Sequence, residues 1–179
     1  MYKVNQVKAL ISSFLSKNAT WKHILMLLGL IIVFNFLIFP LVYPTNQDTV
    51  ILDTQFSYSS DKAYTILAEY NKEELKEYGI GVLTVDFVYP IIYSLFLCFL
   101  IYKLSNKKTI AMLALIVLFS DYAENLGIVT IINYYPQKLP CIVSLSSLFT
   151  SLKWTTLVFL IITILVLMSI KIFNYKKKS

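Results

Sequence analysis

The stretch Asp121-Tyr122-Ala123-Glu124-Asn125 stands in the middle of an apolar run from Ile110 to Ile132. Asp121, Glu124 and Asn125 are spaced i, i+3 and i+4, so on a helix they share one face. The run is long enough to cross a bilayer. Ionisable side chains at that depth are costly and mark a functional site whose partner has to be found. The partners expected here are Asp86 and Lys153, one from each neighbouring apolar segment.

Composition supports a membrane setting. The chain has 179 residues, of which 58% are hydrophobic and 15% charged. Its mean hydropathy is +0.69. That is too apolar for a soluble domain of this length and fits one polytopic membrane domain over residues 1–179. The formal charge is +6, and every cation is a lysine. These lysines flank apolar segments and read as topology signals and anionic-lipid contacts. No nucleic-acid-binding signature is present, so nucleic acid is not an expected partner. Cys98 and Cys141 fall near opposite membrane faces and cannot pair. No Cys/His metal spacing occurs, so no metal is expected, and the sequence names no cofactor.

Read outward from the central run, the chain predicts an all-α fold with four transmembrane helices in a bundle. The spans run over about 23–42, 80–102, 109–134 and 145–170, each near the ~20 residues a bilayer requires. Residues 2–17 place Val4, Val7, Ile11, Phe14 and Leu15 on one face, which predicts an amphipathic helix on the membrane surface. Pro40 and Pro44 are expected to end the first span, which reads as uncleaved rather than as a signal peptide. His23 beside Lys22 reads as an interfacial anchor.

Residues 43–79 form the sizeable polar segment, net acidic, with short helices in it. Ser59-Ser60-Asp61 is a helix start. Asn71 with Glu74 is a capping-box pattern, and a helix from Lys72 is expected to continue through Gly79 and Gly81 into the membrane. Asp53-Thr54-Gln55 is polar between apolar neighbours. It reads either as a lid over the bundle mouth or as a solvated loop.

In the second span, Pro90 removes the hydrogen bond that would reach the Asp86 carbonyl, so a kink is expected. Tyr89 and Tyr93 follow Asp86 at i+3 and i+7 and share its face. Lysine counting puts both termini in the cytoplasm and 43–79 outside, across the plasma membrane. Ser144, Ser146, Ser147 and Ser151 suit close helix contact.

Depth can be read at 1.5 Å per residue from the inner lysines. Asp121 then lies about 20 Å above Lys108, Asp86 about 26 Å above Lys103, and Lys153 about 27 Å above Lys171. Asn35 lies about 20 Å above Lys22. All four spans carry a polar residue in one slab of the outer half. Asp86, Asp121 and Glu124 face a single cation there, Lys153. Charge balance requires shared protons, a cation or a cationic ligand; the bland alternative is a structural ion pair with protonated neighbours.

The expected site therefore has Asp86, Asp121 and Glu124 as acid/base groups. Asn125, Lys153, Tyr89, Tyr93, Asn35, Asp53, Gln55 and Trp154 are the expected ligand contacts. The function expected is binding of a small amphipathic or lipid-like molecule, with proton transfer on it if the protein is an enzyme. Rival readings are a proton- or cation-coupled carrier or channel acting as a homo-oligomer, and a subunit whose acids pair with a basic span of a membrane partner. The layout resembles the emopamil-binding and sigma-2-receptor type of small membrane protein, with four or five spans, a long outer first loop, intramembrane acids and a basic tail. That resemblance implies binding, and in some members isomerisation, of sterol-like molecules. It is one of layout and assigns no residue.

Overall fold

The computed structural model describes residues 2–43 and 50–177. Pro44, Asp48 and Lys178 lie outside the described residues, as do the side chains of Lys3, Val4, Val7 and Lys8. The described residues are helical, with no strand among them. Four helices are long and apolar enough to cross a membrane: Trp21–Val42, Lys72–Ser105, Lys108–Tyr134 and Pro140–Lys176, here spans 1 to 4. An N-terminal helix, Tyr2–Asn18, precedes them, and a short helix, Ser60–Ala68, lies between spans 1 and 2.

Span 1 starts where Thr20 accepts from the His23 amide, as an N-cap does. Pro40 does not end it. The helix widens into a π turn over Phe34–Ile38 and continues to Val42. Proline has no N–H and its ring crowds the carbonyl one turn back, and a π turn opens the ladder enough to accept both. Asn35 sits in that turn.

Span 2 begins outside any apolar run. Asn71 accepts from the Glu73 and Glu74 amides while Glu74 accepts from the Asn71 amide, so the capping box is complete. The helix then runs 34 residues to Ser105, and Asn106 closes it in the left-handed conformation (φ 56°). Span 3 is interrupted near its start: Lys108–Ala111 is separate from Ala114–Tyr134. The hydrogen bonds between them tighten, from Leu113 to Ile110 and from Leu115 to Met112. Span 4 begins with Pro140 in its first turn, earlier than hydropathy suggested, and runs 37 residues.

Span 3 packs along span 4 and span 2, and span 1 packs on span 2. Two glycines set close approaches. A Cβ at Gly127 would fall 2.7 Å from the Ser146 Cβ, so spans 3 and 4 meet there almost backbone to backbone. A Cβ at Gly81 would fall 2.6 Å from the Tyr43 ring. The N-terminal helix contributes the buried Leu15 and a Phe14–Phe99 ring contact with centroids 5.9 Å apart.

The 50–58 stretch folds back onto the helices. Leu52 is fully buried, and its amide donates to the Tyr78 hydroxyl. The Tyr58 amide donates to Ser147 Oγ, Ser151 Oγ donates to the Phe56 carbonyl, and Trp154 Nε1 donates to the Asp53 carbonyl. With the Tyr58 hydroxyl donating to Ser146 Oγ over 2.9 Å, span 4 holds this stretch by four hydrogen bonds.

Candidate functional site

The acids of span 3 face inward together. Glu124 is fully buried, Asn125 nearly so, and Asp121 is 7% exposed. Lys153 of span 4 places its Nζ 2.6 Å from Glu124 Oε2 and 3.8 Å from Asp121 Oδ2. Thr150, one turn before Lys153, donates to the other Glu124 oxygen over 2.8 Å. Glu124 is therefore the committed counter-ion of the lysine, and Asp121 is a looser neighbour. The Lys153 ammonium also lies 5.6 Å from the Trp154 ring centroid.

Asp121 has partners of its own. Tyr93 donates to Oδ2 over 2.5 Å, and Asn125 donates to Oδ1 over 2.9 Å. Asn125 also donates to the main-chain carbonyl of Asp86 over 2.9 Å. That carbonyl is the one Pro90 leaves without its helical donor. The Asp86 carboxylate instead accepts from the Tyr43 hydroxyl over 2.5 Å. Gly81 lets the Tyr43 ring lie close enough to do so. Burial, and then the Asp86 charge beside it, push the Tyr43 phenol above the ordinary tyrosine range, so it stays a donor.

On span 1, Asn35 donates to the Ile31 carbonyl and, over 2.7 Å, to the Tyr89 hydroxyl. Tyr89 and Tyr93 meet edge to face, with ring centroids 5.2 Å apart. The slab expected from helix rise thus joins all four spans through hydrogen bonds and one ion pair.

These groups border a cavity of about 610 Å³. Asp53, Asp86, Asp121 and Lys153 line it, with Asn35, Tyr89, Tyr93 and Trp154. Span 1 also contributes Phe39 and Pro40, and span 4 contributes Leu157 and Ile161. Asp53 enters from the 50–58 stretch, and its Oδ1 is buried without a hydrogen-bond partner among the described residues. Burial holds its carboxyl above the ordinary aspartate value, against the pull of Lys153 and with a push from Asp121.

Three expected site residues, the ligand contacts Gln55 and Asn125 and the acid/base group Glu124, stand away from the cavity wall. Gln55 accepts from Lys62 Nζ over 2.6 Å instead, a local pair seven residues apart. Glu124 lies behind Lys153, and Asn125 bridges behind Asp86 and Asp121; neither lines the space. Tyr43, Thr150 and Ser146 were not foreseen as site residues. Ser146 accepts from the Tyr58 hydroxyl and donates to the Glu124 carbonyl. The signal for Tyr43 was Gly81, a residue without a side chain one turn and a half before Asp86.

Among the described residues no cluster of His, Cys, Asp and Glu is arranged to hold a metal ion. The chain matches no protein family, no curated protein and no solved structure. The class defined by fold and site is an all-helical membrane protein with a buried acid–lysine cluster beside a cavity.

Proposed function

We propose that this protein is a four-helix membrane bundle that binds a small amphipathic or lipid-like molecule in the cavity, and can transform it by acid/base proton transfer. The observation that carries this reading is the composition of the cavity wall. The wall combines three carboxylates, Asp53, Asp86 and Asp121, with the apolar Phe39, Pro40, Leu157 and Ile161 of spans 1 and 4. A ligand with a polar head and an apolar body satisfies both.

In this reading Asp86 and Asp121 are the acid/base pair, each oriented by a tyrosine hydroxyl. Glu124 is a positioning group that neutralises Lys153. Asp53 closes the cavity from the 43–79 segment. By lysine counting that segment lies outside the plasma membrane, with both termini in the cytoplasm and the N-terminal helix along the inner surface. The ligand enters from the bilayer between spans 1 and 4.

Native mass spectrometry of the protein released from lipid nanodiscs tests this. A retained small amphiphile, lost when Leu157→Trp fills the cavity, is the expected result. A spectrum free of any adduct that Leu157→Trp alters contradicts it.

A further inference from the structure

We propose that the ligand's head is a primary ammonium, seated among Asp53, Asp86 and Asp121 with its chain between spans 1 and 4. This rests on the cavity-binding reading and adds the chemistry of the head group.

The argument is an account of donors and charges at the wall. Lys153, the cation lining the cavity, is committed to Glu124 at 2.6 Å. One ammonium thus answers two carboxylates, Glu124 closely and Asp121 at 3.8 Å, and neither Asp53 nor Asp86 has an ion pair among the described residues. Most donors around them are already spent, the exception being the Tyr89 hydroxyl, which accepts from Asn35 and keeps its own O–H. Tyr43 serves Asp86, Tyr93 serves Asp121, and Trp154 serves the Asp53 carbonyl. Asn35 serves Ile31 and Tyr89.

What remains is a surplus of acceptors. Asp53 Oδ1 is buried without a hydrogen-bond partner among the described residues, and Asp86 Oδ1 receives none of the described hydrogen bonds. A buried acceptor left unmade costs about 1–3 kcal/mol, and more when charged.

Ligand classes separate on this account. A carboxylate or phosphate adds a negative charge to a wall already rich in them. An alcohol brings one donor and no charge. A quaternary ammonium brings charge but no N–H, so the carboxylate oxygens stay unmade. A primary ammonium brings three N–H donors and one positive charge. The aromatic faces of Phe39, Tyr89 and Trp154 favour a cation at the same place. The head can belong to a free long-chain amine or to the amino group of a bilayer phospholipid.

The test uses the full chain in phosphatidylcholine nanodiscs, which offer no N–H donor on the lipid head. Dodecylamine, dodecyltrimethylammonium and dodecanol are titrated, and bound probe is counted by native mass spectrometry. Dodecylamine is expected to bind tighter than either rival by about tenfold or more, the value of one charge-assisted hydrogen bond. Asp86→Asn should weaken dodecylamine about tenfold more than dodecanol. A cooperative thermal melt certifies that the variant is folded, and Asp53→Asn gives the same reading from outside the spans. Phosphatidylethanolamine added to the disc competes if the head is a lipid's, and does not if it is a free amine's. Equal binding of all three probes, still abolished by Leu157→Trp, overturns the ammonium head and leaves the cavity reading standing. Probe binding that Leu157→Trp leaves unchanged overturns both.

Discussion

Asn125 on span 3 donates to the main-chain carbonyl of Asp86 on span 2, and Pro90 is the reason that carbonyl is open. The helix gives up one internal hydrogen bond and receives one from its neighbour. The same amide nitrogen holds Asp121 Oδ1 at 2.9 Å, so the Asp86 main chain and the Asp121 carboxylate are tied through one side chain.

This coupling is measurable. Asn125→Ala should destabilise the protein by about 1–3 kcal/mol, because it leaves a buried carbonyl unmade. In a Pro90→Ala background the helix regains its own donor, and the cost of Asn125→Ala should fall to what the Asp121 contact contributes. Unfolding in detergent gives the coupling, expected between about 0.5 and 2 kcal/mol. Additive costs would mean that the two residues act independently.

The lysine pair makes a different prediction. Lys153→Met leaves Glu124 buried and uncompensated and should cost about 3–5 kcal/mol. Lys153→Met with Glu124→Gln removes both charges and should recover most of that loss. Thermal unfolding of the two variants decides; a double variant as unstable as the single would show that Asp121, not Glu124, is the principal counter-ion.

Gly81→Ala should act on Asp86 through Tyr43, without altering a charged residue. The new methyl meets the Tyr43 ring at 2.6 Å, so either the ring or span 1 moves. Overpacking of this kind costs about 1–3 kcal/mol. The expected signature is a loss of ligand binding similar to that of Tyr43→Phe, since both remove the hydroxyl from Asp86. A Gly81→Ala protein that binds as wild type would contradict the role given to Tyr43.

Asp53 predicts a pH dependence. Its carboxyl is held above the ordinary value in the folded protein, chiefly by burial. Above about pH 4 the unfolded chain has released this proton while the folded protein still holds it. The folded state then binds more protons, so stability falls as pH rises through that window. Asp53→Asn carries no such proton. Melting temperatures from about pH 4 upward should therefore decline more steeply for wild type than for the variant. Parallel curves would mean that the Asp53 carboxyl is open to water.

The slab was legible because lysines at the ends of the apolar segments and a fixed helix rise give each polar residue a height along its helix. Asn35, Asp86, Asp121 and Lys153 meet for that reason. Depth does not give rotation. Which acid Lys153 takes depends on how spans 3 and 4 turn against each other, and the Gly127–Ser146 approach sets that. Pro40 looked like a stop because a regular helix cannot hold it; the π turn at Phe34–Ile38 is a local answer that residue spacing does not announce. Gln55 was expected at the cavity from its polarity alone, and Lys62 seven residues on is a nearer partner. Tyr43 was one phenol among 13 tyrosines, with nothing in its spacing to single it out.

The most direct test of ligand entry between spans 1 and 4 is photolabelling in nanodiscs with a long-chain amine bearing a diazirine on its tail. The account predicts label concentrated on Phe39, Leu157 and Ile161, lost on Leu157→Trp. Label spread evenly over exposed positions such as Phe159 and Leu165, and indifferent to that substitution, would contradict it.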